Sequence, residues 1–215
     1  MRLDRILLAL AAIAAASCCD HHKPDEPKPE EPKVLEVDLG LSVVWSDRNV
    51  GAAAPDSIGM YVAWGEIGEK DDYVLANYRF YSPVNGGLYF DYKGGDILKA
   101  ENDAASVVWG SDWRMPTKEE WQELLDKCTW TWISEEGRSG YTVAGPGGGS
   151  IFLPAAGSRE GTALSGLGSL GAYWSASLGS GLEENAWAVN FSENNHSLIY
   201  IERPSGFQIR GVKSL

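Results

Sequence analysis

Residues 110–121 read GSDWRMPTKEEW and set an arginine, a threonine and paired glutamates beside two tryptophans. Two readings suit these residues: a catalytic constellation, or a junction at which an extended segment turns into a helix. The spacing favours the junction. Thr117 precedes Glu120 by three residues, the pattern of a capping box, in which the hydroxyl accepts from the Glu120 amide while the Glu120 carboxylate reaches back. Pro116 and Trp121 stand where a staple closes across a helix start, and Trp121, Leu124, Leu125 and Cys128 continue as one apolar stripe. Trp113, Arg114, Pro116, Thr117, Glu120 and Trp121 are therefore expected to specify the fold, with Arg114 donating to carbonyls at the turn.

Working outward, segment 97–110 (ILKAENDAASVVWG) places Ile97, Ala104, Ala105 and Val108 at near-helical spacing, with Gly110 suited to end the helix. The rest reads as short strands. VLEVDLGLSVVW (34–45) alternates as a first strand, with Leu39, Leu41 and Val43 on one side, and GMYVAWGE (59–66) is a second apolar run. YRFYSPVNGGLYFDYK (78–93) reads as an aromatic hairpin about a glycine-rich turn. Beyond the second helix, CTWTWI puts Trp130 and Trp132 on one strand face, and GYTVAGPGGGSIFLPAAG is strand, turn, strand. A long loop of small residues (158–172) is expected before the strands YWSASL, AWAVNF, SLIYIE and FQIRGVK. The pattern predicts an α+β domain with helices early and sheet late.

The composition narrows the function. A net charge of −12 with no basic stretch excludes a phosphate-tracking role, so no nucleic-acid partner is expected. At the N-terminus, Arg2 and Arg5 precede an apolar stretch too short to span a bilayer, which reads as a secretory signal over residues 1–17. Ala15-Ala16-Ser17-Cys18 resembles a bacterial lipobox, with Ala15 where leucine is commoner, and implies lipidation at Cys18 and a membrane partner through that anchor. Residues 18–33 alternate prolines with charges and read as an extended tether, leaving 34–215 as the domain. Only Cys19 and Cys128 remain after such processing, so no disulfide framework is expected.

Chemical motifs are sparse. GLGSLG (166–171) has the glycine spacing of a dinucleotide loop, but a strand rather than a helix follows it. Only His196 lies in the domain, which leaves no multi-histidine metal site, and the adjacent carboxylate pairs Glu119/Glu120, Glu135/Glu136 and Glu183/Glu184 read as solvated. Cys128 reads as a small buried hydrophobe. No cofactor and no metal are expected.

In order along the chain, VDLGLSVVW, NVGA, GMYVAWGE, NDAASVVWG, WRMPTKEEWQELLDKCTWTW, SIFLPAAG, YWSAS and IRGVK resemble the Fibrobacter succinogenes major paralogous domain family of Bacteroidetes lipoproteins. That family looks like a relative of the C-type-lectin-like superfamily. The resemblance implies two helices packed on a small, mostly antiparallel sheet, first and last strands paired, and one long displayed loop. It carries over no functional residues: the calcium-site triplets of sugar-binding lectins and the late cysteine pair of formylglycine-generating enzymes are missing from this sequence. The cysteine that family members carry before NVGA is replaced by Arg48.

The expectation is a lipid-anchored, non-enzymatic module of the cell envelope that binds a surface glycan or a protein. A fimbrial accessory or other structural subunit is the first alternative, and an atypical formylglycine-generating-type enzyme the second. The candidate binding residues are Tyr78, Tyr81, Tyr89 and Tyr92 of the aromatic hairpin, with Phe80 and Phe90 beside them, and Arg159 and Glu160 of the displayed loop. Packing of the hairpin against its own domain stands as the competing outcome.

Overall fold

A computed structural model describes residues 33–83, 90–135, 137–179 and 183–215. The architecture is α+β: two short helices among the described residues, set against several small open sheets. The opening segment forms β1 (Glu36–Val37) and β2 (Val43–Asn49), two antiparallel strands rather than the single strand expected over 34–45. The break falls at Gly40, whose φ of 74° suits glycine.

Helix α1 (Ala104–Trp109) is shorter than the 97–110 segment predicted. Asp103 explains the late start, because its Oδ1 accepts from the Ala105 and Ser106 amides at 2.9 and 3.1 Å and so fixes the N-terminus there. Residues Ala100–Asn102 form a tighter 3-10 turn, and Ile97 bridges to Ser177 instead of joining the helix. Helix α2 (Lys118–Lys127) starts as the spacing demands, with both halves of the capping box formed about Thr117 and Glu120.

Next come β3 (Thr129–Glu135), β4 (Arg138–Ala144) and β5 (Ser150–Pro154), an antiparallel meander in the order β3-β4-β5. The segment expected to be a loop over 158–172 is structured: β6 (Ser158–Glu160) and β7 (Ala163–Ser165) pair as a small hairpin. Its backbone is further held by reciprocal Arg159–Gly206 and Gly161–Tyr73 hydrogen bonds, which is why a run of small residues does not remain open. Strands β8 (Leu170–Leu178), β9 (Asn185–Ser192) and β10 (Asn195–Glu202) form a second antiparallel meander. The last strand, β11 (Arg210–Ser214), pairs with β2, so the first sheet runs β1-β2-β11 and joins the two ends of the domain.

The β8–β9 face alternates with period two between two cores. Tyr173, Val189 and Phe191 face one core with Trp45, Trp121 and Leu124, while Trp174, Ala176, Ala186 and Ala188 face another with Trp64, Trp113 and Phe207. Trp130 and Trp132 pack together at the rim of the first core, as their shared strand face implies. Each fully buried tryptophan contributes about 2–3 kcal/mol by removal of apolar surface from water. Arg210 crosses between sheets, donating to the Ser46 carbonyl at 3.1 Å and the Phe152 carbonyl at 2.6 Å, and burial pushes its pKa down to about 10.

The opening motif lies where these parts meet. Arg114 and Val212 exchange backbone hydrogen bonds, so the segment before α2 adds itself to β11. The Met115 amide donates to Asp103 Oδ2 at 2.7 Å, the Ala176 amide to the Pro116 carbonyl at 2.7 Å, and the Trp121 indole to the Trp174 carbonyl at 3.2 Å. Arg114 does donate to a carbonyl, that of Met115, but its main partner is Glu120, in a two-pronged ion pair at 2.7 and 2.5 Å. Glu120 thereby holds the helix start and the arginine at once.

Candidate functional site

Among the described residues of the aromatic segment, Tyr78 and Phe90 turn away from solvent and Phe80, Tyr81 and Tyr92 are half-buried. Tyr78 and Phe90 are buried in a third core with Tyr61, Ala63, Tyr73 and Ala156, against which Phe80 and Tyr81 pack half-buried. The Tyr78 hydroxyl donates to the Trp64 carbonyl at 2.7 Å, and burial pushes its pKa up. Tyr92, half-buried, donates to the Ile97 carbonyl at 3.1 Å and accepts from the Lys99 amide at 2.8 Å, with its ring edge-on to Trp64. Tyr81 pairs with Phe90 across a single β-bridge. The expectation of a tyrosine stacking surface is therefore corrected at Tyr78, which is buried within the domain, while Tyr81 and Tyr92 are half-buried against it; Tyr89, like Cys18, lies outside the described residues.

The physical reason is a residue the sequence reading did not single out. Arg203 follows β10 and is fully buried, and its guanidinium carbon lies 4.5 Å from the Phe90 ring centroid, 5.4 Å from Trp64 and 5.6 Å from Tyr78. The hairpin's ring faces turn inward onto this cation. Among the described residues, none of its three guanidinium nitrogens has a hydrogen-bond partner.

The second candidate, the β6–β7 hairpin, is displayed as expected. Glu160 is exposed, and Arg159 is half-buried with its guanidinium carbon 5.0 Å from the Tyr61 ring centroid. Arg159 lines a notch of about 230 Å³ with Glu69, Lys70 and Asp71. Tyrosines next to the notch are tied to the backbone: the Tyr61 hydroxyl donates to the Ala156 carbonyl and the Tyr73 hydroxyl to the Tyr61 carbonyl, both at 2.6 Å. Burial pushes the Tyr61 phenol up in pKa against the pull of Arg159. Lys70 is committed to Glu66 at 3.0 Å and Glu69 accepts from the Tyr61 amide at 3.0 Å, whereas Arg159 forms no ion pair among the described residues. The notch thus presents one cation free to engage a ligand, between acidic walls.

The structure also brings out a partly exposed aromatic pair that was missed. Trp187 and Tyr200 face each other across β9 and β10, with ring centroids 3.7 Å apart, and Lys118 Nζ stands 5.2 Å from the indole. The signal was present: a two-residue turn at Glu193-Asn194 between AWAVNF and SLIYIE sets this register directly. Cys128 is a half-buried free thiol at the end of α2, packed against the first core, and burial pushes its pKa up. Arg48, at the position of the expected family cysteine, pairs with Asp47 at 2.7 Å and donates to the Ala53 carbonyl. Among the described residues no three His, Cys, Asp or Glu side chains converge as a metal site, and no helix is long and apolar enough to cross a membrane. Compared with family models, curated proteins and solved structures, the chain matches none of them.

Proposed function

We propose that this chain is a lipid-anchored cell-envelope protein whose domain is a non-enzymatic binding module of the C-type-lectin-like kind, akin to the Fibrobacter succinogenes major paralogous domains. Two helices against small antiparallel sheets, with β2 and β11 paired, agree with that architecture. The observation that carries the functional reading is Arg159, an uncommitted guanidinium at a notch on a displayed hairpin. Such a group engages acidic or polyhydroxylated ligands by charge-assisted hydrogen bonds.

The full chain is screened on a glycan array and, in parallel, by crosslinking on intact cells. Binding that falls at least about tenfold on Arg159→Ala, with unchanged thermal stability, supports the reading. Binding that survives Arg159→Ala but is lost on Tyr200→Ala moves the site to the Trp187–Tyr200 pair. A stable partner captured from membranes, with no free-ligand binding, favours an assembly subunit instead. Fatty-acid labelling that disappears in Cys18→Ala tests the anchor.

A further inference from the structure

Arg203 presents an anomaly that packing alone does not resolve. Its residue exposure is 0%, yet Nε, Nη1 and Nη2 are all without hydrogen-bond partners. The other fully buried arginine, Arg210, spends both terminal nitrogens on backbone carbonyls. A guanidinium withdrawn from water costs several kcal/mol unless paired and hydrogen-bonded. Three ring faces return part of this, but they satisfy no N–H group. The neighbouring carboxylates do not close the account either. Glu183 and Glu184 lie near enough to favour the charged form, but among the described residues neither carboxylate accepts a hydrogen bond from Arg203. Glu183 is exposed and Glu184 half-exposed, so both carboxylates keep contact with water.

We propose that Arg203, walled by Trp64, Tyr78 and Phe90, is a binding site for a carboxylate, which takes the fork of its guanidinium. A carboxylate offers two coplanar oxygens that match the five N–H donors of arginine. The rings exclude water from the pair and give an apolar face to whatever carries the acid, whether the ring of an acidic sugar or the end of a peptide. The site is separate from the Arg159 notch, and either can fail without the other.

The test is thermal unfolding of the full chain with sodium acetate, glucuronate or N-acetylglycine, against sodium chloride at matched ionic strength and neutral glucose. The expected result is a rise in Tm of about 5 °C or more with a saturating carboxylate, and none with chloride or glucose. A response confined to glucuronate identifies an acidic sugar, and one confined to N-acetylglycine a peptide terminus. Arg203→Met is expected to abolish the shift while unfolding at the wild-type temperature or above, because it replaces an unpaired buried cation with an apolar side chain. Should that variant fail to fold, Arg203→Lys keeps the charge but loses the fork, and the probe's affinity is expected to fall at least about tenfold. No carboxylate shift in the wild type overturns the proposal. So does a Glu183→Gln/Glu184→Gln variant that unfolds at least about 5 °C below the wild type, because the arginine is then satisfied from within the chain.

Discussion

Asp103 is the most heavily used side chain in the junction. Its two oxygens accept from three amides, two that open α1 and one at Met115 that leads into α2. Burial raises its pKa and the three amides oppose this, so the carboxylate is retained for its bonds in spite of a desolvation cost. Asp103→Ala is expected to lower unfolding stability by about 3 kcal/mol, because buried amides lose their acceptor. Arg114→Ala should cost about 1 kcal/mol, since its side chain is about one-third exposed and water screens its pair with Glu120. Urea unfolding of both variants checks the order; equal losses would show that the ion pair, not the cap, holds the junction.

His196 carries a pH dependence at the same scale. Its ring lies parallel to Trp130, 4.7 Å away, and burial pushes its pKa below the ordinary 6.5. The unfolded chain therefore binds more protons than the folded one between that depressed value and 6.5, and stability falls as the pH drops through this window. Below the folded-state value no further loss arises from this group. In His196→Phe the stack remains and the titration is gone, so the wild type should lose more stability than the variant between about pH 7.5 and about pH 5.5 in urea titrations.

At the scale of elements, the glycine-rich turn between β4 and β5 shows why composition alone misleads. A methyl group on Gly145 would lie 2.1 Å from the Leu39 carbonyl oxygen, because the turn lies flat on the loop between β1 and β2. At Gly148 the same methyl group meets nothing, and only the φ of 88° resists it. Gly145→Ala is expected to cost about 3 kcal/mol and Gly148→Ala about 1 kcal/mol, compared by thermal or urea unfolding. The elements themselves were largely legible. The α2 start and the strand faces of Trp130 and Trp132 follow from capping chemistry and period-two alternation, whereas the pairing of the first and last strands was expected only from the family resemblance. Helix α1 was overdrawn because apolar spacing continued past Asp103, whose cap was the stronger local signal. The β6–β7 hairpin was read as open loop because its pairing depends on Gly206 and Tyr73, which are distant in sequence.

At the scale of the whole molecule, the aromatic hairpin is the instructive miss. Alternating rings about a turn fix a hairpin's local form but not which face the domain covers. That was decided by Arg203, more than a hundred residues later, which occupies the faces of Trp64, Tyr78 and Phe90. Arg159 was singled out from its place in a polar segment, but the notch it lines was not legible, because Glu69, Lys70 and Asp71 are distant in sequence. The Arg203 site was not legible either, because a lone arginine after a strand carries no local mark of burial.

The pairing of β2 with β11 also sets an order in time. Residues 43–49 lie early in the domain, and their sheet is completed by residues 210–214. A growing chain therefore holds a half-finished strand edge until residues 210–214 have emerged, and the loop closed by that pairing spans nearly the whole domain. That long-range pairing puts a slow step into folding.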